Sequence, residues 1–156
     1  IKAISICRTK PKLNIIGGLV PTNIPYLNKL QHLVKTLKLN DRVKISANAT
    51  FEVLEKTLGS SRVYVHTKHF EHFGISVVEA MASGCVPIVH RSGGPYLDII
   101  DKGKYGYAFE TVDELVEQID MLMACYVHPL AEHCILRSRD FSEDRFRQNM
   151  VALVED

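Results

Sequence analysis

The stretch FEHFGISVVEAMASGCVPIVHRSGG, Phe70 to Gly94, decides how the chain is read. A glycine turn at Gly74 runs into the apolar helical spacing of Val77, Val78 and Met81, with Met81 and Ala82 expected in the core. A short apolar strand, Val86 to His90, then ends at a second glycine turn, Gly93-Gly94. Two acids stand eight positions apart, Glu71 before the first turn and Glu79 inside the helix. Another apolar run, Val63 to His66, precedes the segment, so the whole reads as strand, helix, strand.

The same alternation extends in both directions. Lys12 to Ile16 is a strand running into Gly17-Gly18, Pro21 to Pro25 is a loop, and Leu27, Leu30, Leu33, Val34 and Leu37 recur at helical spacing. Val43 to Ser46 is a short strand, and Thr50 caps a helix that Gly59 stops. Pro95 opens a short helix ending near Gly103, Tyr107 to Phe109 is a strand, and Thr111 to Glu114 is a capping box opening a helix through about Tyr126. Helices over Pro129 to Ser138 and Ser142 to Val154 complete the chain. Short apolar strands joined by helices predict an α/β fold: a Rossmann-like, doubly wound parallel sheet with helices on both faces. In such sheets ligands bind where strands end and helices begin, and the opening segment occupies that place twice.

At 156 residues the chain has single-domain length, and 46% hydrophobic with 24% charged residues is ordinary for a globular domain. A net charge of +1 gives no general grip on nucleic acid. Cys7, Cys85, Cys125 and Cys134 form no CxxC, which fits free thiols in a reducing compartment. Cys125, His128, His133 and Cys134 are zinc-type ligands but do not pair as two knuckles. His66, His69 and His72 recur every three residues on a strand-to-loop segment, which lacks the helical geometry that would gather them. No metal is expected.

Ser76-Val-Val-Glu79 has the form of a capping box, so Glu79 has a purely structural reading in which it closes the helix start. Gly74 beside the unpaired N–H groups of a helix start also makes an anion site suited to a diphosphate. There is no Walker lysine and no G-x-G-x-x-G. Two acids flanking a phosphate make sense as acceptors for neutral hydroxyls on either side of it. A ligand with hydroxyls, diphosphate and hydroxyls in sequence is a nucleoside diphosphate sugar.

Glu71, Glu79, the run Ala80-Met-Ala-Ser-Gly-Cys-Val-Pro87 and Ser92-Gly-Gly-Pro95 resemble the donor-binding signature of family-four retaining glycosyltransferases. The wording is most similar to GDP-mannose-dependent mannosyltransferases that build lipid-linked oligosaccharides. The resemblance implies one half of a GT-B architecture: residues 1–156 as the C-terminal donor domain, lacking its first strand and the N-terminal acceptor domain. It implies that Glu71 holds hydroxyls of the transferred sugar in the catalytic site and that Phe73, Gly74 and Ile75 touch sugar and diphosphate. Ser76 and Val77 would begin the phosphate-facing helix, Glu79 would hold the ribose, and Lys44 to Ala47 would lie near the base. The donor is a substrate, and no cofactor is implied. The leaving phosphate would take the acceptor proton.

The family's phosphate-binding Arg and Lys have no counterpart here; Arg8 and Lys10, expected near the end of the first helix, are not assigned that role. A glycan or glycolipid acceptor would reach the site through the missing domain. The implied setting is cytoplasmic, with peripheral membrane attachment for a lipid acceptor. Two other readings stand beside this one: a different GT-B enzyme, such as a nucleotide-sugar epimerase or a phosphorylase, and a non-catalytic doubly wound binding module.

Overall fold

The computed structural model describes residues 1–125 and 128–155. The strands are β1 (Leu13–Gly17), β2 (Val43–Ala47), β3 (Val63–His66), β4 (Val86–His90) and β5 (Tyr107–Phe109). The helices are α1 (Lys2–Ile6), α2 (Ile24–Thr36), α3 (Phe51–Gly59), α4 (Ile75–Ala82), α5 (Val112–Ala124), α6 (His128–Ser138) and α7 (Glu143–Glu155). Every strand pairing is parallel. Within each ladder, α2, α4 or the turns after Gly94 lead one strand to the next, as parallel neighbours require a crossover.

The sheet is built as two ladders, β1-β2 and β3-β4-β5, and not as one continuous ladder. β1 pairs with β2 from Leu13 opposite Val43 to Gly17 opposite Ala47. β3 pairs with β4 from Val63 opposite Val86 to His66 opposite Val89, and β4 pairs with β5 from Ile88 opposite Tyr107. Side-chain packing joins the ladders: Leu13, Ile15, Val43, Ile45, Val63, Val65, Val86 and Ile88 belong to one core with Ala3 and Ile4 of α1 and Leu115, Ile119 and Leu122 of α5. Val89, next along β4, turns to the opposite face and packs with Val77, Val78 and Met81 of α4 and with Cys134 of α6. This two-residue alternation places helices on both faces. The central strand β4 is buried until His90, whereas all four residues of β3 are only half-buried, because β3 has a strand neighbour on one side only.

Several local expectations shift. Pro21 to Pro25 is not a plain loop: Pro21–Asn23 forms a 3₁₀ turn and α2 begins at Ile24, with Pro25 in the first turn, where it costs no hydrogen bond. Gly59 is the last residue of α3 and not its stop, and Ala82 is exposed rather than in the core. α1 ends at Ile6, so Arg8 and Lys10 lie beyond it. α5 is defined to Ala124, and the expected end at Tyr126 falls outside the described residues. Thr111 does cap α5, accepting from the Glu114 N–H at 3.2 Å, while Glu114 reaches back to the Glu110 N–H at 3.0 Å.

Candidate functional site

Two loops meet at the carboxyl ends of β3 and β4. The first runs from Thr67 to Gly74, and the second is Arg91 to Gly94. They touch backbone to backbone. Gly94 N–H donates to the Glu71 carbonyl at 2.9 Å, and Phe70 N–H donates to the Ser92 hydroxyl at 3.0 Å. A Cβ on Gly93 would fall on the Glu71 carbonyl oxygen, and one on Gly94 on that of His72. The glycine pair is therefore required by contact between loops as much as by the turn it makes. Ser92 Oγ is also 2.7 Å from Nδ1 of His90, whose ring stacks on His69 with centroids 3.7 Å apart.

The first loop hands over to α4 through Gly74. Its φ of +90° is a left-handed conformation that L side chains avoid, and a Cβ there would sit 2.9 Å from the Pro95 side chain. Gly74 is the N-cap, so α4 begins at Ile75. This corrects the capping box: Ser76 is the second helical residue and makes no side-chain cap, and Glu79 lies mid-helix. The left-handed glycine turns the chain into helix two residues before the serine. Ser76 instead lies against Tyr64. Burial raises the Tyr64 phenol, the Ser76 hydroxyl works the other way, and the nearby Glu79 carboxylate adds to the rise.

The site residues expected from sequence fall into distinct places. The N–H groups of Ile75 and Ser76 head α4, where helix geometry offers them no intrahelical acceptor. Val77 is fully buried, and its N–H already donates to the Gly74 carbonyl at 2.9 Å, so it acts by packing. Phe73 and Ile75 are exposed apolar side chains, Phe73 resting edge-on against Phe141 at 5.8 Å. Glu79 is exposed on α4, with its structural capping role removed.

Glu71 is held from several directions. Oε2 takes Lys68 Nζ at 2.8 Å, and Oε1 accepts the His72 N–H at 3.0 Å. The hydrogen bond from Lys68 is the chief cause that holds this carboxyl below the usual glutamate range, although partial desolvation works against it. His66 Nε2 stands 4.0 Å from Oε2. The spacing of the histidines pointed to none of this. His66 faces Glu71, His69 stacks on His90 and His72 is exposed, and the described residues hold no group of three His, Cys, Asp or Glu placed around a metal position. Cys134 of the other candidate cluster is buried, its thiol pushed up to about 12 by burial, while Cys125 is exposed.

A concavity of about 440 Å³ borders the second loop at Arg91 together with Lys102 and Lys104, and another of about 540 Å³ lies along α2. No described helix is long and apolar enough to cross a membrane.

Residues 1–141 match the family model described as glycosyl transferases group 1. The Dictyostelium discoideum protein named GDP-Man:Man(3)GlcNAc(2)-PP-Dol alpha-1,2-mannosyltransferase is 33% identical over 88% of this chain and 27% of its own length. The Xenopus laevis protein of the same name is 31% identical over 95% of this chain and 32% of its own. The chain thus spans about a third or less of these relatives. Among solved structures, Anabaena HepE in complex with UDP superposes with a TM-score of 0.86 at 19% identity, over 99% of this chain and 43% of that one. Sucrose-phosphate synthase from Thermosynechococcus elongatus gives 0.85 at 22% identity, over 99% and 40%. These structures share the fold.

Proposed function

The chain belongs to the group 1 glycosyl transferase family, and from that premise we propose that it is the donor-binding half of an enzyme transferring a sugar, mannose from GDP-mannose, to an acceptor hydroxyl with retained configuration. The observation that carries the reading is the crossing of two glycine-tightened loops at the strand ends, which sets Glu71 beside the amide-rich head of α4. As the sugar–phosphate bond breaks, negative charge grows on the departing diphosphate. Fixed N–H donors at Gly74 to Ser76 stabilise that developing charge more than the ground state. Glu71 accepts hydroxyls of the sugar and positions it, Glu79 accepts those of the ribose, and the acceptor proton passes to the leaving phosphate.

The names of the relatives support guanine and mannose, and they support a lipid-linked glycan as acceptor. The remaining two thirds of such a polypeptide would carry the acceptor domain, together with a strand preceding α1. The one-sided pairing of β1 and β3 supports that strand. Calorimetric titration with GDP, UDP and ADP tests the assignment. GDP is expected to bind best, and indifference to all three nucleotides would sink it.

A further inference from the structure

One ring nitrogen beside Glu71 has no hydrogen-bond partner among the described residues. His66 ends β3 with its side chain 12% exposed, and Nε2 is shut off from solvent without a hydrogen bond. A buried polar nitrogen left unbonded is costly, and each such atom in a native site calls for an explanation, a functional role among them. Glu71 Oε2 lies 4.0 Å away and is already occupied by Lys68. Two donors thus compete for one oxygen. Lys68 is a flexible ammonium, 65% exposed, free to follow a stronger anion. His66 is fixed in its strand, its ring roughly parallel to that of Tyr64, two residues earlier on the same face of the strand.

The backbone of Glu71 cannot follow a ligand, because Gly94 holds its carbonyl and Gly93 lies against it. Only the side chain can turn. A bond to His66 needs Oε2 to move by about 1 Å, from 4.0 Å to ordinary hydrogen-bond length. We propose that His66 is a positioning residue for Glu71: when a nucleoside diphosphate sugar binds, Lys68 leaves the carboxylate for the diphosphate, and His66 Nε2–H takes Oε2 and fixes the acid toward the sugar hydroxyls. The proposal rests on the donor-binding reading above. An uncharged imidazole donor leaves Glu71 its negative charge and its remaining lone pairs for the sugar. Lys68 gains a diphosphate, a denser anion than one carboxylate.

The experiment titrates GDP-mannose and GDP, by calorimetry, into the unsubstituted chain and into His66→Leu, His66→Gln, Glu71→Ala and the double variant His66→Leu/Glu71→Ala. His66→Leu is expected to weaken GDP-mannose by about tenfold, the scale of a hydrogen bond to a charged group, and to leave GDP unchanged. His66→Gln, whose amide reaches the place of Nε2, restores most of the loss. In the Glu71→Ala background His66→Leu has no further effect on GDP-mannose. Equal weakening of both ligands, or additive losses in the double variant, overturns the proposal. If the unsubstituted chain binds neither ligand, the donor reading fails by itself. The pairing is then decided without ligand by ¹⁵N NMR of the His66 ring in Lys68→Met: Nε2 moves to the position of a hydrogen-bonded donor if the proposal holds, and an unmoved signal refutes it.

Discussion

Gly94→Ala isolates the contact on which the site depends. Gly94 has φ −59° and ψ −39°, a conformation open to any residue, so alanine brings no backbone strain of its own. The cost is contact alone. The new Cβ would fall on the His72 carbonyl oxygen, 2.9 Å from its carbon and 3.1 Å from Phe73 Cα. All of these are backbone atoms, and none can rotate aside. Relief requires the Glu71–Phe73 loop to retreat by more than about 1 Å toward ordinary contact distance. Overpacking of this kind costs about 1–3 kcal/mol, hence a melting point lower by roughly 2–12 °C in a chain of this size. The loss in donor binding should be larger in proportion. A 1 Å misplacement of positioning groups costs on the order of 10²-fold. Calorimetry with GDP-mannose and a thermal melt measure the two effects. Gly59→Ala is the control: it ends α3 with open space around its Cβ position, and alanine there should stabilise by about 0.5–1 kcal/mol without touching binding. A Gly94→Ala chain that binds GDP-mannose like the unsubstituted one, with the same melting point, would refute the loop-crossing account.

Three further outcomes follow from the geometry. Glu79→Ala should weaken GDP and GDP-mannose alike by about 10- to 100-fold, the scale of hydrogen bonds to a carboxylate, while the exposed mid-helix position keeps its helix; loss restricted to the sugar-bearing ligand contradicts the ribose role. Thr111→Ala removes the cap on the Glu114 N–H and should cost about 1 kcal/mol, read as a melting point lower by roughly 2–4 °C, and an unchanged melt shows the cap to be idle. Asp120 is buried in α5 and accepts Thr9 Oγ1 at 2.5 Å, with the N–H groups of Arg8 and Thr9 each at 2.9 Å. Burial alone would raise its carboxyl, but these bonds outweigh it and hold the group below the usual aspartate range. A depressed folded-state value means stability that is full above the ordinary aspartate range and is lost as pH falls through the folded value. Asp120→Asn should therefore melt lower at neutral pH, and its gap to the unsubstituted chain should close in acid. A gap that holds constant down to about pH 2 rejects the linkage.

What the sequence made legible, and what it hid, divides by the range of the forces involved. Strand β4 could be read from Val86 to His90 because its apolar run is a local property, and so could the cap at Thr111. The pairing of strands could not. β1 and β3 look alike as short apolar runs, yet nothing within either run says that it will find one neighbour and not two. The start of α4 was misread for a related reason. Ser76 and Glu79 satisfy the spacing of a capping box, but the left-handed turn at Gly74 begins the helix before that box can form, and Pro95 packed against Gly74 closes the space a side chain would need.

The acid at position 71 shows the same division. Its spacing from Glu79 was visible, but its partners were not: Lys68 occupies one oxygen, His66 waits at 4.0 Å, and Gly94 holds its carbonyl from 23 positions downstream. Gly93 and Gly94 were visible as a turn, which explains at most one of them, the one with positive φ. The other is glycine because a different loop passes within backbone contact. Residue identity at 94 therefore reports a distance between two loops. Glu71 can act beside the head of α4 only while that distance stays short, which is why a methyl group at 94, itself uncharged, is the sharper test of the site than removal of the acid itself.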